Sequence, residues 1–267
     1  MKLKISVLFN FEKRVATLKI LSTIVLICVL NACSKENTKG CFKNSKSQIF
    51  KEVAITPFDK ITVFENIALV IKEGSEFKVA IEGNPNLVEN TSATIEDGRL
   101  ALRSIGVCTL LKANEHVTIY VTAPNIVEIR SSTALDIKSD GVLRYPNISL
   151  LSESFNVPEA TTVNGTFNVT LIAEVVKVVV NGIAFVKLRG SVNTLSVIIA
   201  SGNSRIEAES LSAENVIIDH RGSNDLLINP QVAITGVIRG LGDILSYNEP
   251  ETISVTELFN GRLLFVE

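Results

Sequence analysis

The most reactive side chains on offer are three aspartates, Asp219, Asp225 and Asp243. Asp225 and Asp243 each stand three residues after a glycine, Gly222 and Gly240. Glycoside cleavage needs two carboxyl groups about 5 to 9.5 Å apart, one to give a proton and one to act as nucleophile or base. Neighbouring hydrogen-bonded strands lie about 4.8 Å apart, so stacked repeats would bring equivalent acids into that range. The two preceding repeats hold Arg205 and Phe185 at the same position. A solvated row of acids interrupted by a cation is therefore the plainer reading. Sugar clefts also use aromatic platforms, and this chain has no Trp and only Tyr120, Tyr145 and Tyr247 as tyrosines.

Other chemistry is sparse. His116 and His220 are far apart in sequence. His116 precedes an alternating run and His220 sits beside Asp219 and Arg221 at a corner, so both are expected at the surface. The cysteines and histidines occur singly and lack the paired spacing of a zinc site. There is no nucleophile elbow and no phosphate-binding glycine loop. "GLGDILSY", from Gly240, looks like a fragment of a calcium-binding nonapeptide repeat. It occurs once and its period is wrong, so Asp243 reads as turn chemistry. No catalytic residue, metal or cofactor is expected.

The start of the chain is more informative about location. Ile20 to Leu30 carries no charge and follows Lys2, Lys4, Lys13, Arg14 and Lys19. Such a run is short of the roughly 20 residues that cross a bilayer and fits the core of a secretory signal. Leu30-Asn31-Ala32-Cys33 resembles a bacterial lipobox, with Cys33 as the lipidated first residue after cleavage. An ordinary signal peptide with an incidental cysteine, or a lone transmembrane anchor, are the competing readings. Residues 1–32 are thus a lipoprotein signal peptide and 33–49 a polar, lipidated tether. Ser34 after the lipidated position points to the outer membrane, and Lys35-Glu36 faintly resembles a surface-export tag. Cleavage removes five basic groups and one acid, taking the net charge from −2 to −6. An acidic product has no electrostatic reason to bind nucleic acid. Cys41 and Cys108 remain in an oxidising compartment. A disulfide between them and two free buried thiols are both open.

From Val53 onward the chain alternates. Ile61, Val63, Ile67, Leu69 and Ile71 share one parity, as do Phe77, Val79 and Ile81, and Val117, Ile119 and Val121. Asp97-Gly98 between short alternating runs signals a hairpin. No helical periodicity persists for three turns, so the domain 50–267 is all-β. Its second part repeats: Gly182, Gly202, Gly222 and Gly240 are followed four residues later by Val186, Ile206, Leu226 and Ile244. A weaker copy carries Gly165. A strand, a glycine corner and a second strand, recurring at a fixed short period, is what a parallel β-solenoid requires, with the glycines adopting corner conformations. An ordinary β-sandwich is the alternative. The expected organisation is hairpin-rich over 50–130 and solenoid-like (β-helix-like) over 131–267.

"FDKITV" (58–63), "NPNLVENTSATIEDGRLAL" (84–102), "VTIYVTAP" and "GLGDILSYNEPETI" together resemble the DUF2807 family of head GIN domain adhesins, typically Bacteroidetes lipoproteins or exported proteins. The resemblance runs from about Val53 to Glu267. The family usually shows Gly-Ser-Gly-Asp at each corner, and here only "GLGD" approaches it. The resemblance implies an all-β, partly solenoid fold and brings no catalytic residues. The expected function is a non-catalytic, lipid-anchored envelope protein, adhesin-like or structural. It meets the membrane through its N-terminal lipid, with a surface glycan or envelope protein as partner. The alternative is a surface polysaccharide lyase or glycoside hydrolase on a β-solenoid. One acyl chain holds a protein to a membrane only marginally, at about 0.8 kcal/mol per buried methylene, whereas two or three hold firmly. Cys33→Ser should therefore move the protein to the soluble fraction or leave the precursor uncut. A cleaved, detergent-requiring Cys33→Ser species on fractionation would refute lipidation.

Overall fold

Side chains alternate across a strand, so parity alone separates core from surface. The computed structural model describes residues 48–105, 116–157 and 159–266. The signal segment, Cys33, Cys41 and Cys108 lie outside the described residues. Ile61, Val63, Ile67, Leu69 and Ile71 are fully buried, as the alternation requires. They lie on β2 (Lys60–Val63) and β3 (Ile67–Glu73), joined through Asn66 in a left-handed conformation at φ 65°. β5 (Thr91–Glu96) and β6 (Arg99–Ser104) form the antiparallel hairpin at Asp97-Gly98. Both turn residues have positive φ, 49° and 73°, which matches the right-handed twist of the flanking strands.

The described residues are all-β apart from one short helix. The strands form a single hydrogen-bonded network that curls around one apolar interior and nearly closes on itself, as a barrel does. β2 takes β6 and β8 (Glu128–Ser131) as parallel neighbours, and β8 pairs with β10 (Asn147–Ser152). On the other side β3 pairs in parallel with β7 (Val117–Ala123) and β9 (Asp136–Leu143). The long β11 (Thr166–Val180) joins both sides, pairing its first half with β9 and its second with β10. Parallel pairing thus starts at β2 rather than at residue 131, and the first part is less hairpin-built than its sequence suggested. Only β5–β6, and the pairs that β4 (Lys78–Gly83) makes with β7 and with β1 (Ile49–Val53), are antiparallel.

Beyond β11 the rungs stack with matched columns in each half. β12 (Phe185–Ile199), β13 (Arg205–His220) and β14 (Leu226–Ile238) follow in parallel, and then β15 (Ile244–Ser246) and β16 (Thr252–Glu257) on the two ends of β14. Bulges shift the register between the halves, after Lys187 where β12 meets β13 and after Glu207 and Ala213 where β13 meets β14. β17 (Leu263–Phe265) stacks on β15. Phe167, Val186, Ile206, Leu226, Ile244 and Leu263 form one column of Cα partners, separated by nearly constant steps along the chain. A second column runs Val176, Leu195, Val216, Ile234 and Ile253. All members of the first column but Leu263 are fully buried.

The N-terminal end of this stack is covered. The hairpin β5–β6 and the antiparallel strands β1 and β4 lie there, and the helix α1 (Pro85–Glu89) buries Leu87 and Val88. Asn84 caps α1 by accepting the Asn86 N–H at 3.1 Å, and Pro85 suits its first position. Phe58 packs on Phe77 with ring centroids 5.2 Å apart.

The columns fix the cost of local change. Leu226→Ala should lower unfolding free energy by about 2 to 5 kcal/mol, as removal of a fully buried Leu does. Lys187 lies on the other face of its strand, pairing with Glu207 at 3.0 Å in a partly exposed contact. Lys187→Ala should cost under about 1 kcal/mol. Equal losses in a urea titration would contradict this register.

Candidate binding face

The glycine row arises where rung ends meet. The Asn203 N–H donates to the Gly182 carbonyl at 2.8 Å, Ser223 to Gly202 at 2.9 Å and Leu241 to Gly222 at 3.0 Å. Successive corners therefore lie backbone on backbone. A Cβ at Gly202 would collide with the Gly182 carbonyl, at Gly240 with that of Gly222, and at Gly182 with Val163. At Gly165 it would collide with Ser131 and Thr133, and at Gly222 it would press on Ile199. Only Gly202 of these five has a left-handed backbone, at φ 85°. The expected corner conformation thus applies to one residue, and close approach of the neighbouring rung explains the rest.

Beside this row lies an open groove of about 570 Å³, lined by Ile183, Leu241, Phe259, Arg221 and Arg239. The three apolar side chains are more than half exposed. Asp219 holds both arginines, Arg221 at 3.0 Å and Arg239 at 3.5 Å, so the groove wall carries a surplus positive charge. A second depression of about 480 Å³ lies at Lys72, Glu73, Asp140 and Arg144. There Lys72 meets Asp140 at 3.5 Å, and Glu73 accepts the Arg144 N–H at 2.6 Å.

The structure gives the two equivalent aspartates a structural task. Asp225 accepts the backbone N–H of Asp243 at 3.1 Å, and Asp243 accepts that of Arg262 at 2.8 Å. Each carboxylate satisfies a donor on the following rung. Asp219 does not join them but faces the arginines. Arg205, one rung below Asp225, approaches it only to 4.0 Å and is held at 3.0 Å by Glu207. Lys187 and Arg205 hold the Glu207 carboxyl below its usual range, against the opposing pull of partial burial.

His116 is exposed, but His220 is fully buried, contrary to the surface position expected for it. It pairs with Ile199 and Ile238 in an inward column, where its side chain replaces an aliphatic one. Its Nδ1 accepts the Gly222 N–H at 3.3 Å, which leaves the proton on Nε2. Nε2 has no well-aligned partner, although the nearby Asn224 backbone favours the charged ring to a lesser degree. Burial dominates and pushes the imidazole pKa down, against Asp225, Asp243 and Asp219, which pull it up. The sequence carried the signal: His220 continues the parity of Val216 and Ile218.

One buried ion pair had no sequence signal. Arg130 meets Glu153 at 2.5 Å with both side chains almost wholly covered. Glu153 also accepts the N–H groups of Phe155 at 3.0 Å and Asn156 at 3.1 Å. Burial alone would raise the Glu153 pKa, yet Arg130 and Asn156 outweigh it and hold it low. Arg99 sits 2.8 Å from Glu128 Oε1 but off the hydrogen-bond line, so that contact is one of charge only. Among the described residues no three His, Cys, Asp or Glu side chains converge to hold a metal ion.

These features define an all-β protein of stacked parallel strands with open surface depressions. The chain belongs to the DUF2807 family, described as "Putative auto-transporter adhesin, head GIN domain", whose model matches residues 57–250. It is similar in fold to a "putative adhesin" from Bacteroides fragilis, at 21% identity and a TM-score of 0.72, covering 83% of this chain and 98% of that one. It is also similar to a "putative lipid binding protein" from Parabacteroides distasonis, at 14% identity and a TM-score of 0.57, covering 83% and 98%. A "putative adhesin" from the same species matches at 12% identity and a TM-score of 0.52, covering 82% and 97%. No curated protein matches the chain.

The buried imidazole predicts a pH dependence. Its folded pKa lies below the ordinary 6.5, so the unfolded chain takes up the proton first. Stability should be constant above that value and fall as pH drops below it, towards the folded pKa. Glu153 and Glu207 act in a separate window, below their ordinary 4.5. Denaturant midpoints between pH 7.5 and 5 should decline for the native chain and stay flatter for His220→Gln.

Proposed function

We propose that this adhesin-family chain is a lipid-anchored, non-catalytic module of the cell envelope, acting by adhesion or as a scaffold. The chain from a lipidated Cys33 up to β1 serves as the tether, at the outer membrane. The rungs from residue 131 onward behave as the coils of a parallel solenoid, one strand pair and corner per repeat. That reading rests on the nearly constant sequence step between paired rungs. A surface glycan or an envelope protein is the partner.

The observation that carries the non-catalytic reading is the engagement of the acids. Asp225 and Asp243 each accept a backbone N–H of the next rung, and Asp219 is shared by two arginines. An acid–base pair for glycoside cleavage needs one carboxyl free to give a proton and another free to attack. No observation favours the lyase or hydrolase alternative. The groove at Ile183, Leu241 and Phe259 is open rather than cleft-like, which suits contact with a larger surface.

The purified full chain should leave a broad polysaccharide panel uncut, and a deletion strain should lose surface attachment or aggregation. Asp225→Asn with Asp243→Asn keeps an acceptor oxygen at each corner, so the fold should survive and attachment should persist. Glycan cleavage that disappears in this double variant would replace the adhesin reading with an enzyme.

A further inference from the structure

The two ends of the strand stack differ. The N-terminal end carries the helix, the hairpin and antiparallel strands described above, with Lys51 and Glu52 on β1 and Glu96 on β5. The C-terminal end, as described to residue 266, carries none of these. β16 pairs only with β14, and β17 only with β15. The inward columns stop there with their last members uncovered: Ile253 is 44% exposed and Phe265 41%, whereas the partner of Ile253 on the rung below, Ile234, is fully buried. Leu258, Phe259 and Leu264 add exposed apolar surface to the same rung.

The backbone is open as well. The Leu258 N–H donates inward to the Ile238 carbonyl at 2.8 Å, and Val266 to Ser246 at 2.8 Å. Donors alternate along a parallel strand, so Ile253, Val255 and Phe265 direct their N–H and C=O groups away from the stack. Leu263 would do likewise, but Glu257 accepts its N–H at 2.9 Å. Native edges are normally blunted by charge, proline or a bulge. β16 carries one charge, at Glu257, whose carboxylate is taken up by Arg262 at 3.5 Å and by the Leu263 N–H, and neither β16 nor β17 contains a proline.

We propose that this end docks against the same end of a second copy, about a two-fold axis perpendicular to the stack. Its occupant must offer an uncovered apolar interior of the same cross-section together with an unpaired strand edge at its rim. The C-terminal rung of another copy supplies both, and the charged, antiparallel N-terminal end does not. A two-fold makes the facing strands antiparallel. Keeping inward side chains opposite inward ones sets Ile253 against Val255, Thr252 against Thr256, and Ser254 against itself. Ile253 and Val255 are the residues whose outward N–H and C=O groups then form the hydrogen-bonded pair. The two apolar interiors become one, and the closed symmetry limits growth to a dimer.

Light scattering on the purified full chain, with detergent mass subtracted, should give twice the chain mass. Val255→Pro removes an outward N–H without touching the pairing to β14, and edge strands accept proline. Ile253→Lys places a charge in the joined interior. Each should weaken dimerisation by about a hundredfold or more, the scale of losing a central interface anchor. Both should keep the native circular dichroism, and Ile217→Lys, on the outer face of β13, should remain dimeric. Ser254→Cys should form a disulfide-linked dimer that Thr235→Cys, at the paired position one rung below, does not. A monomer at every concentration, growth beyond two copies, or a dimer indifferent to both variants would overturn the proposal.

Discussion

Everything in this protein depends on keeping inward residues over inward residues from rung to rung, on both sides of the bulges that interrupt the ladders. Strands lie in parallel so that each inward residue sits over its counterpart, and a slip of one residue would send every apolar side chain to solvent. The column from Phe167 to Leu263 shows how firmly this is held from rung to rung. Burial along the columns supplies the driving force, and the ladders of N–H and C=O groups satisfy the backbone at the same time.

The corners follow from that stacking. Rungs can meet with matched register only if their ends also approach, and the backbones come so close that a Cβ has no room at Gly182, Gly202 and Gly240. The aspartates belong to the same geometry. Asp225 and Asp243 reach the exposed N–H of the rung that follows, so their spacing reflects the fold's own repeat rather than a reaction. A row of acids at repeat spacing is thus what stacking produces wherever a corner donor needs an acceptor.

Polar groups inside the stack mark where register overrode preference. His220 is inward because its parity is inward, and it stays neutral there because a charge would be desolvated. Arg130 and Glu153 are buried for a different reason: the turn after β10 folds Glu153 and its neighbours over an outward-facing arginine. Removing one partner would strand a buried charge, whereas the pair together contributes little net stability.

The sequence by itself determined the all-β character, the faces of the strands, the Asp97-Gly98 hairpin and the repeat that aligns Val186, Ile206, Leu226 and Ile244. These are local or periodic properties, written in alternation, turn chemistry and spacing. It also held the burial of His220 in the parity of "NVIIDH", although the flanking charges masked it. Tertiary structure decided the rest. Which strand neighbours β2 or β3 depends on long-range pairing, and the parallel contacts of β6, β7 and β8 carry no local mark. The pairing of Arg130 with Glu153, the sharing of Asp219 by Arg221 and Arg239, and the uncovered rung at Ile253 and Phe265 arise only when distant segments are brought side by side. Alternation states which way a side chain points, and only the packed neighbours decide what it meets there.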